Sequence, residues 1–442
     1  MIASIFGMGH VGIVTAVMFS RYFDVICVEI DMEKLFRLRG GEVFFYEPGF
    51  EQAFNKVKDK LEFTDDVSYA ILKSEISFIA VGTPTETDHS QDHSYLASVL
   101  QNIGEALKEK DTRHLVVIKS TILPGTTENL VIPILEHSSG KKHGEGFSVL
   151  INPEFSREGE ALHDLQNPDK IVIGAHDVSA MNDFVQILKM VYAKINVPLI
   201  KTNYVNAEMI KYAQNAFLAT KISFINTIAN MCEKIPSTDV EIISKALGLD
   251  HRISSHYLRA GLGYGGSCLP KDIEALSNLG RKIGYEPTLL DVVALVNEHQ
   301  PQRVVTTAEE HLGSLINQVV SLLGLSFKPG TDDIREAPSL QVIESLLEKG
   351  AKVRVYDPKA SSKVENIFGN LIEYYKSTED CLDGSDCCIL VTEWDEFKSL
   401  KPDIFLKMKT PFVIDGRRGI SHISKVVEYH AVGLGKEAQT LW

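Results

Sequence analysis

Ile2-Ala3-Ser4-Ile5-Phe6-Gly7-Met8-Gly9-His10-Val11-Gly12 opens the chain and sets its fold class. Ile2–Phe6 is a short apolar run, as in a strand covered on both faces. Gly7, Gly9 and Gly12 then follow the G-x-G-x-x-G spacing. The first glycine turns the chain, the second clears space for a pyrophosphate, and the third packs helix on strand. A helix read from about Gly12 to Phe23 points free N–H groups and a positive dipole end at that phosphate. A second strand, Asp24 to Val28, ends at Glu29, with Asp31 two residues on. Either carboxylate suits the adenosine ribose hydroxyls and repels a 2′-phosphate, so NAD rather than NADP is the expected cofactor.

Outward from this start, short apolar strands alternate with amphipathic helices, the pattern of a parallel sheet with crossover helices. Further strands are expected at Ile76–Ala80, Leu115–Ile118, Val149–Ile151 and Ile171–Ile173. From about Asn203 to Glu233 there is neither Gly nor Pro, and Met209, Ile210, Ala213, Phe217, Ile222, Ile225 and Ile228 recur at helical spacing. The spacing predicts one long helix, with more helix at Val240–Leu247 and Leu289–His299. The α/β texture returns after Gln318: strand Val319–Leu325, helix Pro338–Glu348, then strands Val353–Tyr356, Cys388–Thr392 and a last one at Phe412–Ile414. The expected fold is α/β: two Rossmann-like parallel-sheet domains joined by a long central helix and a helical segment.

The formal charge of −14, from 45 basic and 59 acidic residues, argues against a nucleic-acid or anionic-membrane partner. No apolar stretch is long enough to span a bilayer, and the start has no basic n-region. The six cysteines fit no metal spacing and no disulfide framework, so no metal is expected. Cys27, Cys387 and Cys388 sit in apolar strand runs. A reducing, cytoplasmic setting fits this usage.

Cys268 is different. In Gly265-Gly266-Ser267-Cys268-Leu269-Pro270-Lys271-Asp272 it sits in a Gly/Pro turn with a lysine three residues on. A thiolate is a strong nucleophile, and nearby cations or N–H groups favour it. The alternative is a free thiol in a surface turn. Gly82-Thr83-Pro84 and Lys119-Ser120-Thr121 follow strands, where such sheets bind ligands. In Asn152-Pro153-Glu154-Phe155-Ser156-Arg157-Glu158, Glu154 and Glu158 would share a face if helical. Lys211 and Asn215, i and i+4 on the long helix, can hold a developing oxyanion. Lys328, Arg335, Arg417 and Arg418 are cations at strand ends, suited to a diphosphate.

Together with Tyr46-Glu47-Pro48-Gly49 and Asp415-Gly416-Arg417, these motifs run nearly end to end and resemble the UDP-glucose/GDP-mannose dehydrogenase family. Asn167-Pro168-Asp169-Lys170, Gly263-Tyr264-Gly265-Gly266 and Thr392-Glu393-Trp394-Asp395 resemble its UDP-glucose branch. Ser120 to Thr126, Ser139 to Lys142 and Leu269 resemble the GDP-mannose branch, the alternative. The resemblance implies residues 1–200 as the NAD-binding domain, 201–300 as a helical dimerisation domain, and 301–442 as the nucleotide-sugar domain. It implies four-electron oxidation of a sugar C6 alcohol to a carboxylate, by way of a thiohemiacetal and thioester on Cys268. Lys211, Asn215, Asp272, Glu154 and Thr121 would share in catalysis. Gly7, Gly9, Val11, Gly12, Glu29, Lys34, Thr83, Thr121, Glu158, Lys271 and Arg335 would hold NAD. Glu154, Phe155, Lys211, Asn215, Arg252, Tyr257, Gly265, Lys328 and Arg417 would hold the nucleotide sugar, with Arg252 crossing the interface of a homodimer. Two residues depart from the family pattern: Glu29 stands where aspartate is usual and His89 where glycine is usual. A non-catalytic NAD-binding redox sensor would lack the need for the Lys211, Asn215 and Cys268 set. A two-electron hydroxyacid dehydrogenase would need no second nucleotide domain.

Overall fold

The computed structural model describes residues 1–86, 90–193 and 196–436; His89 and its neighbour Asp88 lie outside the described residues. The chain divides into two compact units, 1–214 and 215–442.

Among the described residues the first unit holds eight strands: β1 (Ile2–Phe6), β2 (Asp24–Val28), β3 (Leu61–Thr64), β4 (Ile76–Ile79), β5 (His114–Ile118), β6 (Phe147–Ile151), β7 (Ile171–Gly174) and β8 (Leu199–Thr202). Their order is β3-β2-β1-β4-β5-β6-β7-β8. The wholly parallel sheet expected from sequence needs one correction, since β6 meets β7 antiparallel at Ile151 and Gly174. The chain order reverses between β1 and β4, and this is where doubly wound sheets bind ligands. Interior strands β4, β5 and β6 are buried along their whole length. The two edge strands β3 and β8 were not expected. Half-exposed or exposed, they carry no continuous apolar run to mark them.

The first helix runs His10–Phe19, so it starts two residues before the expected Gly12 and stops four before Phe23. Its start is fixed by the fingerprint, with Gly9 at the cap position. The long helix is Tyr204–Cys232, 29 residues or about 44 Å. The boundary between the units falls within it.

The second unit repeats the device with β9 (Val319–Leu323), β10 (Lys352–Tyr356), β11 (Glu373–Tyr374), β12 (Cys387–Leu390), β13 (Phe412–Asp415) and β14 (Glu428–Ala431). All pair in parallel in the order β11-β10-β9-β12-β13-β14. Phe412–Asp415 is therefore not the last strand. β14 follows it at the edge, its alternating Glu-Tyr-His-Ala exposing one face. Each sheet is buried in its own apolar core. Cys27, Cys387 and Cys388 are buried as expected, and among the six cysteines only Cys268 is exposed. Among the described residues no helix is long and apolar enough to cross a membrane.

Candidate active site

The glycine loop after β1 has the shape of a phosphate cradle. Gly7 has φ of +87°, and a Cβ on Gly12 would lie 1.9 Å from the Gly7 carbonyl oxygen. Only glycine serves at these two positions. A Cβ on Gly9 would meet nothing within 4 Å, so open space lies over the loop. The helix His10–Phe19 starts there with no side-chain cap, leaving first-turn N–H groups unspent. These residues fit a dinucleotide. Thr15 donates to the Val11 carbonyl at 2.7 Å and locks the first turn.

Glu29, buried at the end of β2, turns its carboxylate on the backbone. Oε2 accepts the Met8 N–H at 2.9 Å, and Oε1 accepts those of Ile30 and Asp31 at 2.9 and 3.0 Å. The side chain thus braces the glycine loop. Asp31 caps the next helix, accepting the N–H groups of Glu33 and Lys34, and its Oδ2 lies 3.5 Å from Lys34 Nζ. Across the switch point, Thr83 donates to the Thr121 carbonyl at 2.9 Å. Gln91 donates to the same carbonyl at 2.6 Å and to the Tyr212 hydroxyl at 3.1 Å. Gln91 had no signal in the sequence, because a single amide in a polar loop has no pattern.

Beyond β5 and β6 lies a buried charge cluster. Lys119 Nζ donates to Asn152 Oδ1 at 3.1 Å and lies 3.8 Å from Glu154 Oε2. Burial pushes the Lys119 ammonium down, further than Glu154 restores it. Burial pushes Glu154 up, but Lys119, the Ser156 hydrogen bonds and Lys211 outweigh this and hold its carboxyl below the usual range. Phe155 carries Lys170 Nζ 4.4 Å and Lys211 Nζ 5.5 Å from its ring centroid. Lys170 also donates to Gln214 Oε1 at 2.5 Å. The helical condition placed on Glu154 and Glu158 is not met: residues 152–157 form no helix and Glu158 sits in the turn beyond. Glu208 is a structural carboxylate, accepting the N–H groups of Gly125 and Thr127 at 2.6 and 2.9 Å.

In the second unit Cys268 caps the helix Leu269–Lys282, a helix not foreseen around the Gly/Pro turn. Its thiol is exposed and lies 3.6 Å from Ser267 Oγ. One turn into the helix, buried Asp272 accepts Asn215 Nδ2 at 2.6 Å and Lys271 Nζ at 2.5 Å. Gly265 and Gly266 seat this turn on the loop after β9: Gly266 N–H donates to the Arg335 carbonyl at 2.9 Å, and a Cβ on Gly265 would lie 2.1 Å from the Glu336 carbonyl oxygen.

That loop copies the first unit. Gly324 has φ of +91°, and Asp357, just past β10, does what Glu29 does after β2. Its Oδ2 accepts the N–H groups of Leu325 and Ser326 at 2.7 and 3.1 Å and the Trp394 indole at 3.0 Å. An acid following a second strand was the available signal for Asp357, and it was missed. Lys328 Nζ lies 5.8 Å from the Phe327 ring centroid. Arg335 forks onto Asp333, with Nε 2.8 Å from Oδ2. Arg417 donates to the Val391 and Gly263 carbonyls at 2.8 and 3.1 Å, and its Nη2 is buried with no hydrogen-bond partner among the described residues. Burial lowers its affinity for the proton, with Glu393 opposing. Arg418 turns away and pairs with Asp239 at 2.7 Å. Exposed Arg252 pairs with Asp250, and Tyr257 holds φ of +62°.

The family model of the UDP-glucose/GDP-mannose dehydrogenase family matches in three parts: the NAD binding domain over residues 1–196, the central domain over 205–299 and the UDP binding domain over 321–422. The UDP-glucose 6-dehydrogenase AglM of Haloferax volcanii is 42% identical, covering 94% of this chain and 96% of that protein. The GDP-mannose 6-dehydrogenase of Pseudomonas syringae pv. tomato is 37% identical over 90% of this chain and 92% of its own. A solved UDP-glucose dehydrogenase from the hyperthermophilic archaeon Pyrobaculum islandicum superposes with a TM-score of 0.90 at 38% identity, covering 98% of both chains. With the glycine cradle of one sheet, its copy in the other and all three family segments in register, the chain belongs to the UDP-glucose/GDP-mannose dehydrogenase family, NAD-dependent oxidoreductases of nucleotide sugars.

Proposed function

We propose that this nucleotide-sugar 6-dehydrogenase oxidises UDP-glucose to UDP-glucuronate, with Cys268 holding the intermediate. The observation that carries the reading is the Cys268 turn: an exposed thiol at a helix start, with buried Asp272 one turn on and bonded to Asn215. Each oxidation removes a hydride from C6 and a proton from the oxygen bonded to it. NAD would supply the hydride acceptor, and the residues that would hold it are Gly7, Gly9, Val11, Gly12, Glu29, Lys34, Thr83, Thr121, Glu158, Lys271 and Arg335. After the first oxidation Cys268 Sγ bonds to the aldehyde carbon as a thiohemiacetal. The second leaves a thioester; water adds to its carbonyl, the C–S bond breaks, and the carboxylate and thiol are released.

Lys211 is assigned to the oxyanion, where a fixed ammonium is worth most when shielded from water. Asn215 and Asp272 position lysine and water. Glu154 and Thr121 move protons through water. Phe155, Tyr257 and Gly265 shape the sugar site, and Lys328 and Arg417 hold the diphosphate; the unspent Nη2 donor of Arg417 supports this. The division into residues 1–200, 201–300 and 301–442 follows these roles. A homodimer belongs to the same reading. Phe217, Phe224 and Met231 repeat every seven residues on the long helix and are 64%, 51% and 56% exposed. A second copy would cover this stripe and bring Arg252 to its neighbour. The setting is cytoplasmic, where the thiol stays reduced, with neither nucleic acid nor membrane as partner.

The test is a panel of nucleotide sugars read by NADH absorbance. UDP-glucose should yield two NADH per sugar with no free aldehyde, and a higher kcat/KM than GDP-mannose, because a site built for one base leaves buried polar groups unpaired with the other. One NADH per sugar refutes the covalent reading; a preference for GDP-mannose refutes the base.

A further inference from the structure

The second unit carries one cluster that the oxidation does not use. β14 is the edge of the six-stranded sheet, and Glu428 and His430, two residues apart on it, stand on one face. His311, in the last turn of the helix Gln302–Leu312, meets that face. His311 Nδ1 lies 3.2 Å from Glu428 Oε1, and His430 Nε2 lies 3.7 Å from the same oxygen. Ligand atoms of all three residues fall within 4.8 Å of one another.

Both rings are held by packing. The His311 ring stacks on buried Phe412 at 3.6 Å and 15°, and His430 meets Phe412 edge-on at 5.2 Å. In a tetrahedral shell with bonds near 2.0–2.1 Å, neighbouring ligand atoms are about 3.3 Å apart. The two measured separations lie on either side of that value.

We propose that His311, Glu428 and His430 form a site for a divalent transition metal that favours imidazole, such as zinc or nickel, clamping β14 to the helix Gln302–Leu312. Three protein ligands leave a position for water. The cluster lies where β13 and β14 begin, at Phe412 and Glu428. Arg417 follows the other end of β13, so the ion is a structural clamp and not part of the oxidation. Cysteine spacing gives no sign of it, because the ligands come from a helix and a strand more than a hundred residues apart.

The experiment uses the full chain in a Cys268→Ser background, which removes thiol binding, titrated with zinc and with cobalt. One ion per chain should bind at micromolar concentration, cobalt should show ligand-field bands without thiolate charge transfer, and zinc should raise the unfolding midpoint by a few degrees. His430→Ala and Glu428→Gln should each abolish the uptake and the shift; Glu428→Gln keeps the test open if the histidine variant misfolds. With Cys268 intact, both variants should form NADH at the normal rate. Undiminished uptake in both variants, or binding only at millimolar metal, overturns the site.

Discussion

Asn215 Nδ2 donates to Asp272 Oδ2 at 2.6 Å, fixing the long helix to the first turn of the helix that Cys268 begins. Asp272 is 1% exposed, so its partners are its solvation. Asn215→Ala leaves a buried carboxylate one donor short and should cost about 1–3 kcal/mol. Asn215→Asp sets two carboxylates together and should cost more. Urea unfolding of both checks this; wild-type midpoints would show the bond to be idle.

Cys268→Ser should still bind NAD and nucleotide sugar but turn over at least about 10³-fold more slowly, since losing a nucleophile elsewhere costs up to about 10⁶. An alkoxide is far scarcer than a thiolate near neutral pH. Single-turnover kinetics with calorimetric binding separates the two effects. Near-normal turnover ends the covalent mechanism.

The seating of the cysteine turn is open to direct test. Gly265→Ala drives a Cβ to 2.1 Å from the Glu336 carbonyl oxygen and 3.2 Å from Phe327 Cβ. Backbone cannot yield cheaply, so about 1–3 kcal/mol of strain is expected, with turnover falling as the thiol is displaced. Unchanged kcat in a folded variant would mean that the turn has slack.

Glu154 should shape the acid limb of stability. Its folded carboxyl titrates below the usual glutamate value, so its contribution is full above that value and is lost as pH falls through the lowered one. Glu154→Gln should flatten that limb. At neutral pH it also strands the buried Lys119 ammonium, costing about 3 kcal/mol, the low end for a halved buried pair given the 3.8 Å separation. Lys119 runs the other way, its lowered value adding stability as pH climbs from that value to the usual lysine range. Parallel stability–pH curves for wild type and variant would refute the assignment.

Glu29 predicts cofactor choice. In the proposed reading its carboxylate would face the 2′-phosphate of NADP, and like charges in a cleft are strongly disfavoured. NAD should exceed NADP by about 100-fold in kcat/KM, or about 2.7 kcal/mol. Because Glu29 also holds the Met8 N–H, Glu29→Ala should weaken NAD binding without creating NADP use. Equal use of both cofactors by wild type would displace Glu29 from the ribose.

The sequence alone determined whatever is written in local spacing. Gly7, Gly9 and Gly12 between strand and helix are one such signal, the unbroken apolar period of Tyr204–Cys232 another, and the turn around Cys268 a third. Interior strands declared themselves because burial on both faces demands continuous apolar runs. Edge strands β3, β8, β11 and β14 did not, since each is short and partly or wholly open to water and so carries no continuous apolar run. Only the tertiary structure decided what distant polar groups do for one another. It turned Glu29 and Asp357 onto matching loops, put Gln91 on the Thr121 carbonyl, gave Asp272 to Asn215, and set His311 against Glu428 and His430. A hydrogen bond depends on two atoms coming within about 3 Å, and no spacing along the chain records that for residues 21 to more than 100 positions apart.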